Sequence, residues 1–248
     1  MNRSVKYYIA VVTLGGLAGL GYGIWSLPQP ITVLPVIFLL LLCALAQAAN
    51  VPLFSNSSVS LAFAVSFIGL LLFGPSGAVL ANLGAAVVHA VYPKRRPWYK
   101  MVFNASTFVL SSAAAGVVYT ALGGTWPVSD LSSAAGPAIL AALAYFIVNT
   151  VIVALAVSLS TGSSFVKVYN ENHRWLVVHY LMIAAICLLV PVGYQSMGWV
   201  GLIAFAVLLV LPWVSTRMYV AQARLAIVRT AELVQLKSEI ERAGTGRR

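Results

Sequence analysis

Six polar side chains within long apolar stretches of the chain are candidates for chemistry: Asn82, His89, Asn104, Ser111, Asn149 and His179. An amide, hydroxyl or imidazole surrounded by Leu, Val and Ala has no water to bond, so it must find a partner across the fold or a ligand. The three asparagines offer donors and acceptors that suit a small neutral molecule, and that equally suit bonds between helices. The two histidines would ligate a haem iron axially if they stood on facing helices. A histidine near a helix end more commonly bonds a backbone carbonyl or a lipid headgroup. The six residues form a candidate ligand-binding set, with no catalytic residue, no metal ligand and no cofactor expected.

Other chemistries are poorly served. The chain holds no GxxxxGK[ST], HExxH or CxxC string, and its five acids leave almost no ligands for metal-assisted hydrolysis. No Asp, Glu, Lys or Arg falls inside any apolar run before Arg217. Ion-coupled transporters and proton pumps need such residues within the membrane, so their absence argues against secondary active transport. Cys43 and Cys187 both lie in apolar runs and read as small buried hydrophobes.

The elements that position the six can be read from spacing. Asn82 and His89 are seven residues apart, as are Asn104 and Ser111, so each pair shares one face of a helix. Between the pairs lies the knot Pro93-Lys94-Arg95-Arg96-Pro97, whose prolines cannot continue a helix. Counting outward from Arg96 puts His89 level with Asn104, and Asn82 level with Ser111. The expectation is an antiparallel hairpin in which these polar residues face each other.

The surroundings must be a bilayer. Hydrophobic residues make up 61% of the chain and charged ones only 8%, whereas soluble domains carry roughly 25% charged residues. The formal charge of +10 does not imply nucleic acid, because the cations sit in short segments between apolar runs. The apolar runs predict eight spans at 7–25, 31–49, 59–73, 77–92, 101–122, 137–158, 175–194 and 200–219. Counted this way, all fifteen Lys and Arg fall on one side, which sets both termini in the cytoplasm. The third and fourth spans are short, at about 15 residues each, and the Gly74-Pro75-Ser76-Gly77 turn joins them. Gly15, Gly19 and Gly23 make a small-residue face on the first span, suited to close packing within the bundle or to dimerisation. Residues 159–174 read as the longest inner loop, and 123–136 as an outer loop.

After 217 the chain keeps strong helix propensity and carries Ala226, Leu233 and Ile240 at heptad spacing. This segment reads either as an association helix or as an amphipathic helix on the anionic inner leaflet. The division expected is a bundle at 1–219 and a cytoplasmic helix and tail at 220–248.

Several segments together resemble a known family. The run VSLAFAVSFIGLLLFGPSGAVLANLGAAV, the Arg95-Arg96-Pro97-Trp98 turn and FNASTFVLSSAAAGVVYTALGG are similar to membrane-associated sensor (MASE-like) domains. YFIVNT at 145–150 and NHRW at 172–175 fit the same pattern, and the resemblance covers roughly 59–229. Such domains stand at the N-terminus of bacterial signalling proteins that carry HD-GYP or GGDEF output modules. The resemblance implies a sensory input or scaffold domain in the inner membrane, relaying a signal to a cytoplasmic output partner and catalysing nothing itself. No HD pair, GGDEF or EAL string occurs in these 248 residues, so the output module is expected on another chain or outside this sequence, unless the domain stands alone. The partners expected are the lipid bilayer and, through residues 217–241, a second copy or an output protein, with no nucleic acid. The alternative is a small-molecule carrier, since these domains also look distantly like the S-components of energy-coupling-factor vitamin transporters.

Overall fold

The structure is a computed structural model that describes residues 2–27, 33–52, 58–59, 61–174, 176–198 and a discontinuous set between 200 and 233. The elements in order are α1 (Arg3–Trp25), α2 (Val33–Ala48), a two-residue antiparallel ladder of β1 (Val51–Pro52) and β2 (Ser58–Val59), α3 (Ala62–Val91), α4 (Trp98–Ala121), α5 (Leu131–Thr161), α6 (Phe165–Asn172) and α7 (Leu176–Met197). The fold is all-α apart from that ladder. Among the described residues, five helices are long and apolar enough to cross a membrane: α1, α3, α4, α5 and α7. At 16 residues, α2 is a shorter apolar helix.

The chain forms two compact units, Met1–Leu209 and Val210–Arg248. In the second, the described residues from 210 to 233 are helical, and Thr230 Oγ1 donates to the Ala226 carbonyl at 2.8 Å. Half of the span expected at 200–219, including Pro212, lies outside the described residues, as do Arg224 and the tail from 234 onward. The loop prolines Pro28 and Pro30 lie outside them too.

Within the first unit α3 is the central element. Of its apolar window 78% is buried, against 22% for α1, so the other helices surround α3 while α1 turns most of its surface to lipid. Lipid tails are as apolar as leucine side chains, so close packing and buried hydrogen bonds hold such a bundle, with little hydrophobic drive between helices. Small residues permit that packing. Gly16 faces Ser106 on α4, Gly84 faces the Leu40 backbone on α2, and Gly116 faces Pro75, each without room for a methyl group. The glycines of α1 are used inside the bundle: Gly15 meets Leu110, Gly19 meets Val109 and Gly23 meets Val79. Close packing is therefore what this face does.

Helical backbone continues through α3, but Gly74 has φ 74° and ψ −164°. That region is essentially closed to residues with a Cβ. The chain reverses there, and arm 62–73 packs antiparallel on arm 75–91. Gly69 and Gly77 touch backbone to backbone, and Ser66 Oγ donates to the Ala78 carbonyl at 3.1 Å. The two short spans read from the sequence are these arms, but the turn is tighter than expected. Pro75, Ser76 and Gly77 are already helical, because proline's fixed φ suits the first helical position. Pro75 has no N–H for the Leu71 carbonyl; the Val128 N–H supplies it at 3.0 Å.

Val128 belongs to the α4–α5 loop, which caps this end of the bundle. Tyr119 Oη donates to Thr125 O at 2.9 Å, Gln195 Nε2 donates to Val128 O at 2.8 Å, and the Trp126 indole lies against Gly74. Two expectations for loops are corrected. α5 begins at Leu131, not 137, because the Asp130 carboxylate accepts from the Ser132 and Ser133 N–H groups and caps it. The loop 159–174 contains a helix, α6, whose Ser164 hydroxyl accepts from Lys167 N–H.

Candidate functional site

Two groups of polar residues occupy the bundle, one closed and one open. Asn82 is the centre of the closed group. Its Nδ2 lies 2.5 Å from Ser112 Oγ, 3.1 Å from Tyr145 Oη and 3.4 Å from Phe108 O. With two hydrogens to give, it serves the two shorter contacts. Cys43 Sγ approaches Asn82 Oδ1 at 3.8 Å, and Ser66 Oγ pairs with Ser112 Oγ at 3.3 Å. The group joins α2, both arms of α3, α4 and α5. Asn82, Ser66 and Ser112 are almost fully buried, and their bonding capacity is largely spent inside the protein.

The pairings expected in the hairpin are each displaced. Asn82 meets Ser112, and Ser111 turns its hydroxyl back to the Thr107 carbonyl at 2.7 Å. One residue along a helix is a rotation of about 100°, more than level counting from a turn can resolve. His89 does not bond Asn104. Its Nδ1 lies 3.2 Å from Gln47 Nε2 on α2, and its ring meets Phe108 edge-on at 5.7 Å. With the amide donating, Nδ1 accepts and the ring proton sits on Nε2.

The open group lines a cavity of about 710 Å³, within the 300–1,000 Å³ range of small-molecule sites. Asn2 before α1, Gln47 on α2, His89 on α3, Lys100 on α4, Ser160 on α5 and His173 before α7 all border it. These are the start of α1, the end of α2, the end of α3, the start of α4, the end of α5 and the approach to α7. Successive helices therefore alternate in direction, and the cavity opens at the end opposite the Trp126 loop. Asn2, Lys100 and Ser160 at its rim are exposed, whereas Phe63 and Tyr145 at its floor are buried.

The floor is aromatic. Phe63 packs on Tyr180 with ring centroids 4.5 Å apart and on Tyr145 at 4.8 Å, and Tyr145 and Tyr180 are 5.9 Å apart. Above it the wall carries Asn104 and Asn149, neither of which forms a hydrogen bond with any described residue. His173 is only 8% exposed, and its Nδ1 likewise has no partner among the described residues. Burial holds the His173 imidazole below its usual value of 6.5. Arg96 and Lys100 stand on the lining, Arg96 Nε donating to the His89 carbonyl at 3.0 Å. No carboxylate is on the lining among the described residues.

Of the six residues singled out in the sequence, His89, Asn104 and Asn149 line this cavity. Asn82 and Ser111 belong to the packed interior, and His179 is on α7 with a buried Nε2 that has no partner among the described residues. Sequence reasoning passed over Gln47, Tyr180 and His173. Gln47 was visible as a lone polar residue near the end of an apolar run. Tyr180 carried no signal, since an aromatic at that spacing reads as core.

No curated protein and no solved structure matches the chain. A family model does, over residues 29–215, which spans α2 to α7 and every cavity-lining residue except those of α1 and its N-terminal flank. The chain belongs to the MASE9 family of membrane-associated sensor domains.

Proposed function

We propose that the cavity is the input site of this sensor domain and that its occupancy is relayed to a cytoplasmic output partner. The observation that carries this reading is the pair Asn104 and Asn149, two amides on facing helices of the cavity with their hydrogen bonds unspent. A polar side chain left without a partner in an apolar setting costs free energy, so its retention suits a ligand contact. The set named from the sequence then divides: His89, Asn104 and Asn149 meet the ligand, while Asn82, Ser111 and His179 support the helices that hold them.

The domain acts without catalysis. It spans the inner membrane eight times with both termini cytoplasmic, a bundle at 1–219 leading into a helix and tail at 220–248. Residues 217–241 are its contact to a second copy or to an output protein. The charge distribution supports this topology, since the cavity rim lies at the end of the bundle that carries Arg96 and Lys100. The same placement disfavours an import carrier, whose site must admit substrate from the outer side.

A chimera tests the reading. A diguanylate cyclase catalytic domain fused after residue 242 reports the state of the input domain as cyclic dinucleotide made. Asn104→Leu and Asn149→Leu are expected to shift that output with an unchanged amount of folded protein in the membrane. Unchanged output from both variants would remove the cavity as the input site.

A further inference from the structure

The cavity has a polarity from rim to floor that specifies more than a generic ligand. At the rim, Arg96 and Lys100 bring two positive charges, and no acid on the lining neutralises them. No described carboxylate pairs with either cation elsewhere, and Arg96 spends only its Nε on the His89 carbonyl. The guanidinium therefore keeps donors in a planar fork, the arrangement that grips a carboxylate or phosphate. The floor of Phe63, Tyr145 and the partly buried Tyr180 presents rings at different tilts, with interplanar angles between 33° and 55°. Such a surface accepts the face or edge of another ring. Between rim and floor, Asn104 and Asn149 supply neutral donors and acceptors.

Taking the cavity as the input site, we infer that it binds a small planar acid, its ring on the Phe63–Tyr145–Tyr180 floor and its carboxylate or phosphate at Arg96 and Lys100. The depth suits this. His89 stands fifteen residues beyond the Gly74 bend and Phe63 eleven before it, so the floor lies about 6 Å below the His89 level at 1.5 Å per residue. One or two fused rings fill that distance. The neutral wall excludes a second charge at mid-depth, so a dianion with charges at both ends is rejected.

An anionic lipid headgroup offers the same acidic chemistry at the rim, and the test separates it. The full chain in nanodiscs of phosphatidylcholine is titrated with 2-naphthoate and with its uncharged counterpart, 2-naphthamide, by calorimetry. The acid is expected to bind at least about tenfold more tightly than the amide, the size of one charge-assisted contact. Lys100→Gln is expected to remove most of that preference, bringing acid affinity down toward that of the amide. Tyr180→Leu is expected to weaken acid and amide together. Equal binding of acid and amide by the native protein overturns the inference, as does no binding of either. Displacement of naphthoate when phosphatidylglycerol is added to the disc assigns the cations to lipid and also overturns it. The input reading fails separately, when the Asn104 and Asn149 variants leave the chimera's output unchanged.

Discussion

Ser66 and Ala78 are twelve residues apart in sequence, yet the hydroxyl of one donates to the carbonyl of the other at 3.1 Å. In a straight helix they would be about 18 Å apart. The contact exists because Gly74 turns the chain back on itself, and the pair Gly69 and Gly77 lets the two arms touch. The arms carry Phe63 and His89 to different depths of one cavity. The bend therefore sets the height of the site as well as the packing of the core.

That makes Gly74 the most sensitive backbone position. A Cβ at its φ of 74° is strained and would also strike the Trp126 indole. Gly74→Ala is expected to destabilise the protein by on the order of 1–3 kcal/mol, the usual cost of such a backbone, with the displacement of Trp126 added to it. Thermal unfolding in detergent, followed by tryptophan fluorescence, checks this. An unchanged midpoint would mean that the reversal does not depend on glycine.

The asparagines give a contrast. Asn82 serves Ser112 and Tyr145, whereas Asn104 bonds nothing described. Bonds inside membranes average about 0.6 kcal/mol each and reach about 1.7. Asn82→Leu is therefore expected to cost roughly 1–3 kcal/mol, while Asn104→Leu stays near zero. Steric-trapping measurements of unfolding free energy in bicelles separate the two, and equal losses would contradict the division into closed and open groups.

Much of this was legible in advance for definite reasons. Apolar runs broken by Gly74 and the Pro93–Pro97 knot mark helix ends by backbone chemistry alone, and the structure places a bend or an end at each. Asn104, Asn149 and His89 stood out because polar groups are rare in hydrocarbon. Rotation about each helix was not legible. Ser111 and Ser112 are adjacent in sequence and face different partners, and only packing decides which of them Asn82 meets. Nor was the role of Gln47, since its link to His89 depends on where α2 lies beside α3. α6 was missed because eight residues rich in polar side chains read as loop; its start depends on the Ser164 cap.

His173 gives a pH signature. It lies between α6 and α7, and burial lowers its imidazole below the usual 6.5. The folded protein favours the neutral ring, so the unfolded chain takes up this proton at higher pH. The stabilisation from His173 is present in full above about pH 6.5 and is lost as pH falls below it. The thermal midpoint is expected to drop between about pH 7.5 and pH 5.5, and His173→Gln to make that drop shallower. A variant with the native slope would show that another group titrates.

The orientation of the cavity can be tested without any ligand. Lys94, Arg95, Arg96 and Lys100 cluster at the α3–α4 tip, and cations next to a span are retained in the cytoplasm. Asp130 caps α5 at the far end of the bundle, in the loop that packs Trp126 against Gly74. α4 has 24 residues, about 36 Å at 1.5 Å per residue, enough to carry the chain across a hydrocarbon core of about 30 Å. The tip and the Asp130 loop are then expected to face opposite compartments. An alkaline phosphatase reporter fused after Asp130 is expected to be active and one fused after Trp98 inactive, with the reverse for green fluorescent protein. If Trp98 reports the outside, the cavity opens away from the cytoplasm, a planar acid would enter from the periplasmic side, and the carrier reading regains its footing. If both fusions report one side, α4 does not cross the membrane and the eight-span topology fails with it.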